Sequence, residues 1–427
     1  MKRKVGRSTS TGTAAVAKSG DFAQSIQDKF TELQNRLAKV AVGQQDMIDA
    51  IVLGLLSRHH VLFIGPPGCN KTGLFDKAVH LIGGNERTAA MHEGRVAVES
   101  DEQYAGRLAQ LTYTFKVTLS KFDQPESLLG PYDPRALREG KWSRNVTATI
   151  ADCDYAYLSE VFNANGSTLR SVNRVLNERE YENAGIRYAL RLRSVFADTN
   201  EEPVESMLAV YDRFMIRLPV HYISDNERGD FMRMMNLPQW DEDAEQPVMG
   251  ISDVDAAYVM ARRVRPGAEA LDEMWKLRQN LAARDKIVLS DRRWRQTLDV
   301  LGAAAWLRGS DLVEAPDLWF ALRFVLWDRP SQRDKIAEVL EPYRVQTIAA
   351  REGAIMQDIE RSFDDAMQQG TVPSDRMSAL VLMENQRARI RDEQNVKRLN
   401  EMVEQLTQVV DSDSEEFLRH GDGEDAD

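Results

Sequence analysis

Residues 60–82 have the pattern of a phosphate-binding turn between a strand and a helix. Val61-Leu-Phe-Ile64 is a short apolar run that predicts a buried strand, and Lys71 and Thr72 open a run with helical spacing. The turn between them contains Gly and Pro, so that backbone N–H groups and a helix N-terminus can converge on phosphates. The order matches the P-loop pattern G-x-x-x-x-G-K-[ST] and predicts binding of a nucleoside triphosphate.

The P-loop pattern assigns a role to each residue of this turn. Lys71 is expected to reach the β- and γ-phosphates of ATP, and the Thr72 hydroxyl to bind Mg²⁺. The expected binding residues are Gly65, Pro66, Pro67, Gly68, Cys69, Asn70, Lys71, Thr72 and Gly73. Asn70 stands where the pattern has its second glycine; Asn adopts positive φ at modest cost, so we expect the loop to close. The alternative is an ordinary tight turn before a core helix.

A second apolar strand, Tyr155-Ala-Tyr-Leu158, ends in Ser159-Glu160. P-loop ATPases carry Asp-Glu here: the Asp supports Mg²⁺ through water, and the Glu polarises the attacking water. We therefore expect Glu160 to be catalytic. The Ser159 hydroxyl can still bond a metal-bound water but brings no negative charge, which predicts weaker metal affinity and slower hydrolysis.

Three further polar residues stand where they could act on a γ-phosphate. Asn200 ends the strand 193–200 and could hold the lytic water; the alternative is a strand-end cap. Arg213 precedes a last strand and could serve a neighbouring subunit's nucleotide, or it could be a surface arginine paired with Asp212. Arg292 follows the helix start Ser290-Asp291, where a cation is unfavourable unless it faces an anion; a phosphate or neighbouring carboxylates could be that anion.

These stretches together resemble the MoxR group of AAA+ ATPases, and within it the RavA branch most closely. The motifs that carry the resemblance are Gly65-Pro-Pro-Gly…Lys71-Thr72, Pro125-Glu-Ser-Leu-Leu-Gly130-Pro131, Leu158-Ser-Glu160, Leu176-Asn-Glu-Arg179, Thr199-Asn-Glu201, Tyr211-Asp-Arg-Phe-Met-Ile-Arg-Leu218, Leu289-Ser-Asp-Arg-Arg-Trp294, Ala303-Ala-Ala-Trp-Leu-Arg-Gly309, Ala315-Pro-Asp-Leu318 and Leu326-Trp327. By position Asn200 resembles sensor 1, Arg213 the arginine finger, and Arg292 the sensor 2 arginine of the lid. Asn70 and Ser159 depart from the family's pattern.

The resemblance implies an α/β fold: a P-loop αβα nucleotide-binding domain with a parallel sheet, followed by an all-α lid. It also implies a hexameric ring and a partner that carries a von Willebrand factor A (VWA) domain. The resulting division is a disordered tail (1–20), the AAA+ core (21–222), the lid (223–330), a helical hairpin or coiled-coil extension (331–410) and an acidic disordered tail (411–427). No β-rich insertion such as the RavA branch carries is evident in the C-terminal third.

Composition excludes several other classes of protein. The 427 residues suffice for two or three domains, and the formal net charge of −12 argues against a general nucleic-acid surface. No apolar run approaches membrane-spanning length. The two cysteines are too few for a disulfide framework or a zinc site. We expect a cytoplasmic location.

Two classes of function fit these observations. The first is a ring ATPase that uses ATP and Mg²⁺ to remodel or activate a protein partner, with Glu160, Asn200, Arg213 and Arg292 as catalytic residues. The second is an assembly or scaffold protein that binds ATP but hardly cleaves it, which the Ser159 departure favours. Restoring Asp at position 159 is expected to accelerate a latent enzyme and to change a competent one little. A nucleic-acid motor is disfavoured by the acidic balance.

Overall fold

A computed structural model describes residues 11–84, 86, 100, 103, 111–201, 203–223, 228–237, 240, 245–368, 371–386, 390 and 393–421. The chain forms two compact units. The first comprises residues 1–314 and 321–338, and the second comprises residues 315–320 and 339–427.

The elements of the first unit follow the predicted alternation of strands and helices. The strands are β1 (His60–Ile64), β2 (Thr114–Thr118), β3 (Tyr155–Ser159), β4 (Glu180–Asn183), β5 (Ile186–Ala189), β6 (Ser194–Thr199), β7 (Phe214–Pro219), β8 (Arg265–Pro266) and β9 (Leu312–Val313). The α-helices are α1 (Thr11–Val40), α2 (Gln45–Ser57), α3 (Lys71–Leu81), α4 (Glu126–Leu129), α5 (Pro134–Arg138), α6 (Gly166–Glu178), α7 (Leu208–Tyr211), α8 (Arg228–Met235), α9 (Ile251–Ala261), α10 (Ala268–Ala283), α11 (Asp291–Leu307) and α12 (Ala315–Val325). Residues 315–320 of α12 belong to the second unit. Short 3-10 turns occur at Val161–Asn163, Glu205–Met207 and Pro330–Gln332.

Five strands form one parallel sheet in the order β2-β3-β6-β1-β7. β1 and β6 are buried along their whole lengths, as the central strands of a parallel sheet covered on both faces are. Because the strands are parallel, their carboxyl ends share one edge, and the residues that follow β1, β3 and β6 meet there. The predicted αβα core with a parallel sheet and a helical lid is confirmed. None of the helices in the described ranges has both the length and the apolarity needed to cross a bilayer.

The first helix begins earlier than the sequence pattern predicts. Residues 11–20 continue α1, where we expected a disordered tail, and residues 1–10 lie outside the described part of the chain. The segment Ala14-Ala-Val-Ala17 has high helix propensity, and extending an existing helix needs no new nucleus. The amphipathic pattern begins only at Phe22, and Ile26 is the first residue of this helix that the described burial places in the core.

An ion-pair network connects the amino edge of the sheet to the helix α9. Arg193 donates to the Asp255 carboxylate at 2.7 and 2.6 Å and also to the buried Asp154. Arg58 donates to Asp255 at 2.5 Å. Burial alone would raise the pKa of Asp255, but these two guanidiniums outweigh it, and the pKa lies below its ordinary value of 3.8.

This depressed pKa predicts an acid-dependent loss of stability. The contribution of Asp255 is fully present above about pH 4 and is lost as pH falls through its lower folded-state pKa. Asp255→Asn is therefore expected to melt at a lower temperature than the wild type at pH 7, and the difference should shrink between pH 5 and pH 3. Thermal unfolding followed by circular dichroism checks this. Glu139→Gln, which removes an exposed partner of Lys141, is the control; a pH-independent difference for Asp255→Asn would contradict the assignment.

The second unit is a helical bundle with its own core. Its helices are α13 (Arg333–Met367), which belongs to this unit from residue 339 onward, α14 (Pro373–Gln386) and α15 (Glu393–Gly421). The apolar residues that form the core are Met356, Ile359, Ala366, Ala379, Met383, Ile390, Leu399, Met402 and Leu406. The helical extension therefore packs on itself, which is one of the two arrangements that the heptad-like spacing allowed.

The last part of this unit differs from the sequence prediction. The chain after residue 372 forms the two helices α14 and α15, and Ile390 between them is buried in the core. The acidic segment was expected to be disordered from Asp411, but α15 continues to Gly421; a helix that is already nucleated propagates through polar residues at little cost. Residues 422–427 lie outside the described ranges.

Candidate nucleotide-binding site

The loop after β1 is fixed at its start by the two neighbouring strands. The Gly65 amide donates to the Thr199 carbonyl at 2.9 Å, and the Val220 amide donates to the Ile64 carbonyl at 2.7 Å. A Cβ at Gly65 would lie 2.0 Å from the Val220 carbonyl oxygen. Only glycine fits at this point, so the first position of the motif is dictated by the close approach of two backbones.

Asn70 takes the conformation that its position demands. Its φ of 56° and ψ of 24° lie in the left-handed region, as we expected of an Asn in the place of the second glycine. Its side-chain oxygen lies only 2.2 Å from where a Cβ would stand on Gly73, which makes Gly73 the matching partner of Asn70. The loop closes despite the substitution, and α3 begins directly at Lys71.

The amides and the carbonyls of this loop differ in their hydrogen-bond partners. In the described part of the chain, the backbone N–H groups from Gly68 to Gly73 meet no acceptor. The carbonyls of Pro67 and Cys69 accept from Tyr222 Oη at 2.8 Å and from Gln44 Nε2 at 3.1 Å. Consecutive free amides at a helix N-terminus form an anion-binding site.

Lys71 lies across this loop and is buried. Its ammonium donates to the carbonyls of Gly65 at 2.6 Å and Pro66 at 2.9 Å, and it forms no salt bridge with a carboxylate of the described residues. A buried ammonium held only by carbonyls leaves its charge available for an anion. The loop therefore fits a phosphate chain.

Glu160 is brought to the same edge by β3. Its backbone has a φ of 54°, and its amide donates to Asp198 Oδ1 at 2.8 Å, which fixes this strained conformation. Burial and the Asp198 carboxylate raise the pKa of Glu160, whereas the Lys71 ammonium and a hydrogen bond from the Asn200 backbone lower it in part. The P-loop lysine, Glu160 and Asn200 thus form one group of interacting residues.

Asp198 is a member of this group that our sequence analysis did not identify. It is buried in β6, and its Oδ1 accepts from Ser159 Oγ at 3.0 Å while its Oδ2 accepts from the Tyr157 hydroxyl at 2.8 Å. Burial and Asp198 raise the pKa of the Tyr157 hydroxyl, and the nearby Thr72 side chain lowers it in part. The only indication in the sequence that Asp198 belongs to this group was its position two residues before Asn200.

Arg213 and Arg292 are not brought to this P-loop. Arg213 Nε donates to Asn173 Oδ1 at 3.2 Å, and Arg292 Nη2 donates to Asn177 Oδ1 at 3.3 Å, one turn further along α6. Arg213 precedes Phe214, whose register partner is His60 at the start of β1. The P-loop follows the other end of β1, about 13 Å away at 3.3 Å per residue, beyond the reach of an arginine side chain.

Arg293, which follows Arg292 in the sequence, is buried and has a structural role. Its side chain is buried and donates to the carbonyls of Val325 at 2.7 Å and Met215 at 3.3 Å. Burial and the nearby Arg217 lower the pKa of Arg293. Of the two adjacent arginines, Arg292 is the exposed one and Arg293 connects the helix α11 to β7.

The donor set also suits Mg²⁺ bound together with a nucleotide. The described residues contain no group of three or more His, Cys, Asp or Glu that could hold a metal by themselves. Mg²⁺ usually keeps several waters and binds through one or two protein oxygens plus phosphate oxygens. The hydroxyls of Thr72 and Ser159 and the Asp198 carboxylate supply oxygens of that kind at the edge where the loop amides are.

Comparison with known families places two matches on the chain. Residues 102–255 match the family described as "MoxR domain in the MoxR-vWA-beta-propeller ternary systems". Residues 269–340 match the family described as "AAA lid domain".

Individual proteins are similar over most of the same region. The chain is 24% identical over 308 residues to the uncharacterised protein MJ0812 of Methanocaldococcus jannaschii, which covers 72% of this chain and 73% of that protein. It is 26% identical over 310 residues to MJ0079 of the same organism, with 71% of each covered. It is 25% identical over 266 residues to the structural protein ORF618 of Acidianus two-tailed virus, with 60% of this chain and 39% of that protein covered.

A crystal structure of a candidate ATPase from Cytophaga hutchinsonii has the same fold. It superposes with a TM-score of 0.58, at 16% identity, over 77% of this chain and 97% of that one. At this level of identity the match concerns the arrangement of sheet and lid.

Proposed function

This chain belongs to the MoxR group of AAA+ ATPases, and we propose that it binds ATP with Mg²⁺, hydrolyses it, and works as a hexameric ring that remodels or activates a protein partner. The observation that carries the proposal is the convergence at one sheet edge of the free loop amides, Lys71 and Glu160. Amides and an ammonium bind the phosphates, and a carboxylate of raised pKa beside them can act as a general base.

In this proposal the residues of one subunit bind and orient, and those of its neighbour complete the site. The amides of Gly68–Gly73 and Lys71 hold the phosphates, Thr72 contributes the metal-facing hydroxyl, and Glu160 accepts a proton from the attacking water. When bound, Mg²⁺ neutralises charge on the β- and γ-phosphates. The Asn200 backbone amide orients Glu160, and its side chain positions the water.

Arg213 and Arg292 are proposed to act in trans. Both lie at the amino edge of the sheet beside α6, opposite the loop of their own subunit. In a closed ring with head-to-tail interfaces, one face of each subunit meets the opposite face of the next, so two arginines on the far side can approach a neighbouring nucleotide. The helical lid would thereby report on the neighbouring site.

Action on a protein partner is supported by the family and by exposed aromatic side chains. The matched MoxR family is named for systems that also contain a vWA protein, and we extend a VWA-domain partner to this chain as a proposal. Phe122 and Trp142, on the loops between β2 and β3, are 91% and 68% exposed. Exposed aromatic rings are typical of surfaces that hold a polypeptide.

A nucleotide-gated scaffold with little turnover is the second candidate. It is favoured by Ser159 in place of an aspartate and by the similarity to a protein named as a structural protein of a virus. It shares the ATP site of the first candidate and differs in turnover, so that measured phosphate release separates the two.

The binding part of the proposal predicts a clear effect of Lys71→Ala. The wild-type protein should take up ATP in calorimetry, and the variant should bind at least about tenfold more weakly, because a charge-assisted contact to phosphate is worth more than about 1.4 kcal/mol. Lys77→Ala, on the same helix beyond the loop, should bind ATP as the wild type does. No ATP uptake by the wild type, or unchanged uptake by Lys71→Ala, would contradict the proposal.

A further inference from the structure

Position 159 lacks a carboxylate, but the strand beside it provides one. β3 and β6 are parallel neighbours, and Leu158 pairs with Ala197. Ser159 and Asp198, the next residues of the two strands, therefore lie side by side at the carboxyl edge of the sheet. Ser159 Oγ donates to Asp198 Oδ1 at 3.0 Å. The negative charge that a P-loop ATPase carries at the end of one strand stands here at the end of the next strand.

Asp198 also lies on the face of the sheet that the P-loop helix covers. Phe75 of α3 packs against Tyr157 and Phe196, with ring centroids 5.0 and 4.8 Å apart. The Tyr157 hydroxyl donates to Asp198 Oδ2 at 2.8 Å, and the Thr72 side chain is near enough to lower the pKa of this phenol in part. Tyr157 therefore lies close both to Asp198 and to the threonine that we propose faces the metal.

The partners of Asp198 leave its charge uncompensated. In the described part of the chain they are two hydroxyls and the Glu160 amide, and none is a cation. Buried charges in proteins are generally paired with an opposite charge or interact with a metal ion. A carboxylate with these surroundings is therefore suited to a bound cation.

We propose that Asp198 supplies the carboxylate that faces Mg²⁺ in this site and thereby replaces an aspartate at position 159. Ser159 and Tyr157 hold the carboxylate in place, and Asp198 acts on the ion as a positioning residue, through the ion's water shell. The inference rests on the proposed binding of ATP with Mg²⁺. It means that the Ser159 substitution relocates the charge of the site by one strand and does not remove it.

The first test is the Mg²⁺ dependence of nucleotide binding, measured by titrating Mg²⁺ into protein and a fluorescent ATP analogue that start in EDTA. Asp198→Asn keeps an acceptor for the Glu160 amide but loses the charge. The Mg²⁺ concentration at half-saturation should rise about 10- to 100-fold, as it does when groups that orient metal ligands are changed. Analogue affinity in EDTA should stay within about twofold. Asp76→Asn, which removes a nearby carboxylate paired with Lys116, should change neither quantity.

The second test exchanges the two positions. Ser159→Asp alone puts two carboxylates within about 3 Å of each other, where they cannot both ionise freely, so Mg²⁺ affinity should not improve. The double variant Ser159→Asp/Asp198→Ser keeps one carboxylate on the more usual strand. Its half-saturation should return to within about threefold of the wild type, a non-additive result expected only of coupled residues.

The outcomes separate this inference from the proposed function. A wild-type Mg²⁺ half-saturation in Asp198→Asn, or a double variant no better than Asp198→Ser, would overturn the role of Asp198 while ATP binding stands. A wild type that binds no analogue, with or without Mg²⁺, would overturn both proposals. If Asp198→Asn does not give the wild-type circular dichroism spectrum, Ser159→Asp decides, because it keeps Asp198. A Mg²⁺ half-saturation like that of the wild type supports the role of Asp198, and one about tenfold or more below it overturns that role.

Discussion

Phosphate release by Glu160→Gln is expected to fall about 10²- to 10⁴-fold below the wild-type rate, while ATP affinity stays within about twofold. Gln has the same shape but cannot accept a proton from water. The carboxylate suits that task because burial and Asp198 raise its pKa toward the operating pH, and the Asn200 amide orients it. A coupled assay of steady-state phosphate release at saturating ATP and Mg²⁺, together with calorimetry of ATP binding, checks both parts.

Glu201→Gln is the matched control for this prediction. Glu201 is exposed, close along the chain, and near enough to influence the pKa of Glu160, yet it belongs to the loop after β6. It should retain nearly the full rate. If the wild type releases no phosphate at any Mg²⁺ concentration, the scaffold function stands in place of the ATPase; if Glu160→Gln releases phosphate as the wild type does, another residue is the base.

The features that the sequence predicted well are those that depend on neighbouring residues in the chain. The turn from β1 to α3, the left-handed Asn70 and the cap of α11 by Ser290, whose Oγ accepts from the Arg293 amide at 3.2 Å, all follow from local geometry. Strand–loop–helix patterns are local in the same way, which is why the α/β core and lid could be predicted.

The features that it missed depend on which strands become neighbours. Ser159 and Asp198 are 39 residues apart, and their contact exists because β6 lies between β1 and β3 in the sheet. Position 159 alone indicated a site without charge, whereas the strand order places the Asp198 carboxylate beside it. From the sequence we expected Ser159→Asp to accelerate a latent enzyme. If Asp198 supplies the carboxylate as we propose, Ser159→Asp alone is expected to give no increase in the rate of hydrolysis.

The helix ends illustrate a second limit. Residues 11–20 and 411–421 carry little apolar patterning, so the sequence predicted disorder there, but both extend helices that are packed elsewhere. Amphipathic spacing reports where a helix meets a core, and it does not report how far the helix continues beyond that contact.

Arg213→Ala is expected to lower the rate of ATP hydrolysis about 10³- to 10⁵-fold, the range known for an arginine finger. Its guanidinium is held by Asn173 at 3.2 Å and Asp212 at 3.1 Å, at the edge of the sheet opposite its own P-loop. ATP affinity and thermal stability should change little by comparison. Arg174→Ala, also on α6 and paired with Glu178, is the control that should keep its activity.

Mixing two inactive variants shows in which subunit Arg213 acts. In a ring assembled from equal amounts of Glu160→Gln and Arg213→Ala subunits, about one interface in four joins an intact Glu160 to an intact Arg213 of the neighbour. The mixture should therefore recover about a quarter of the wild-type rate if the sites are independent. If Arg213 served the nucleotide of its own subunit, every site would keep one defect and the mixture would stay inactive. Recovery of activity would place the guanidinium across the interface, where the amino-edge position of Arg213 directs it.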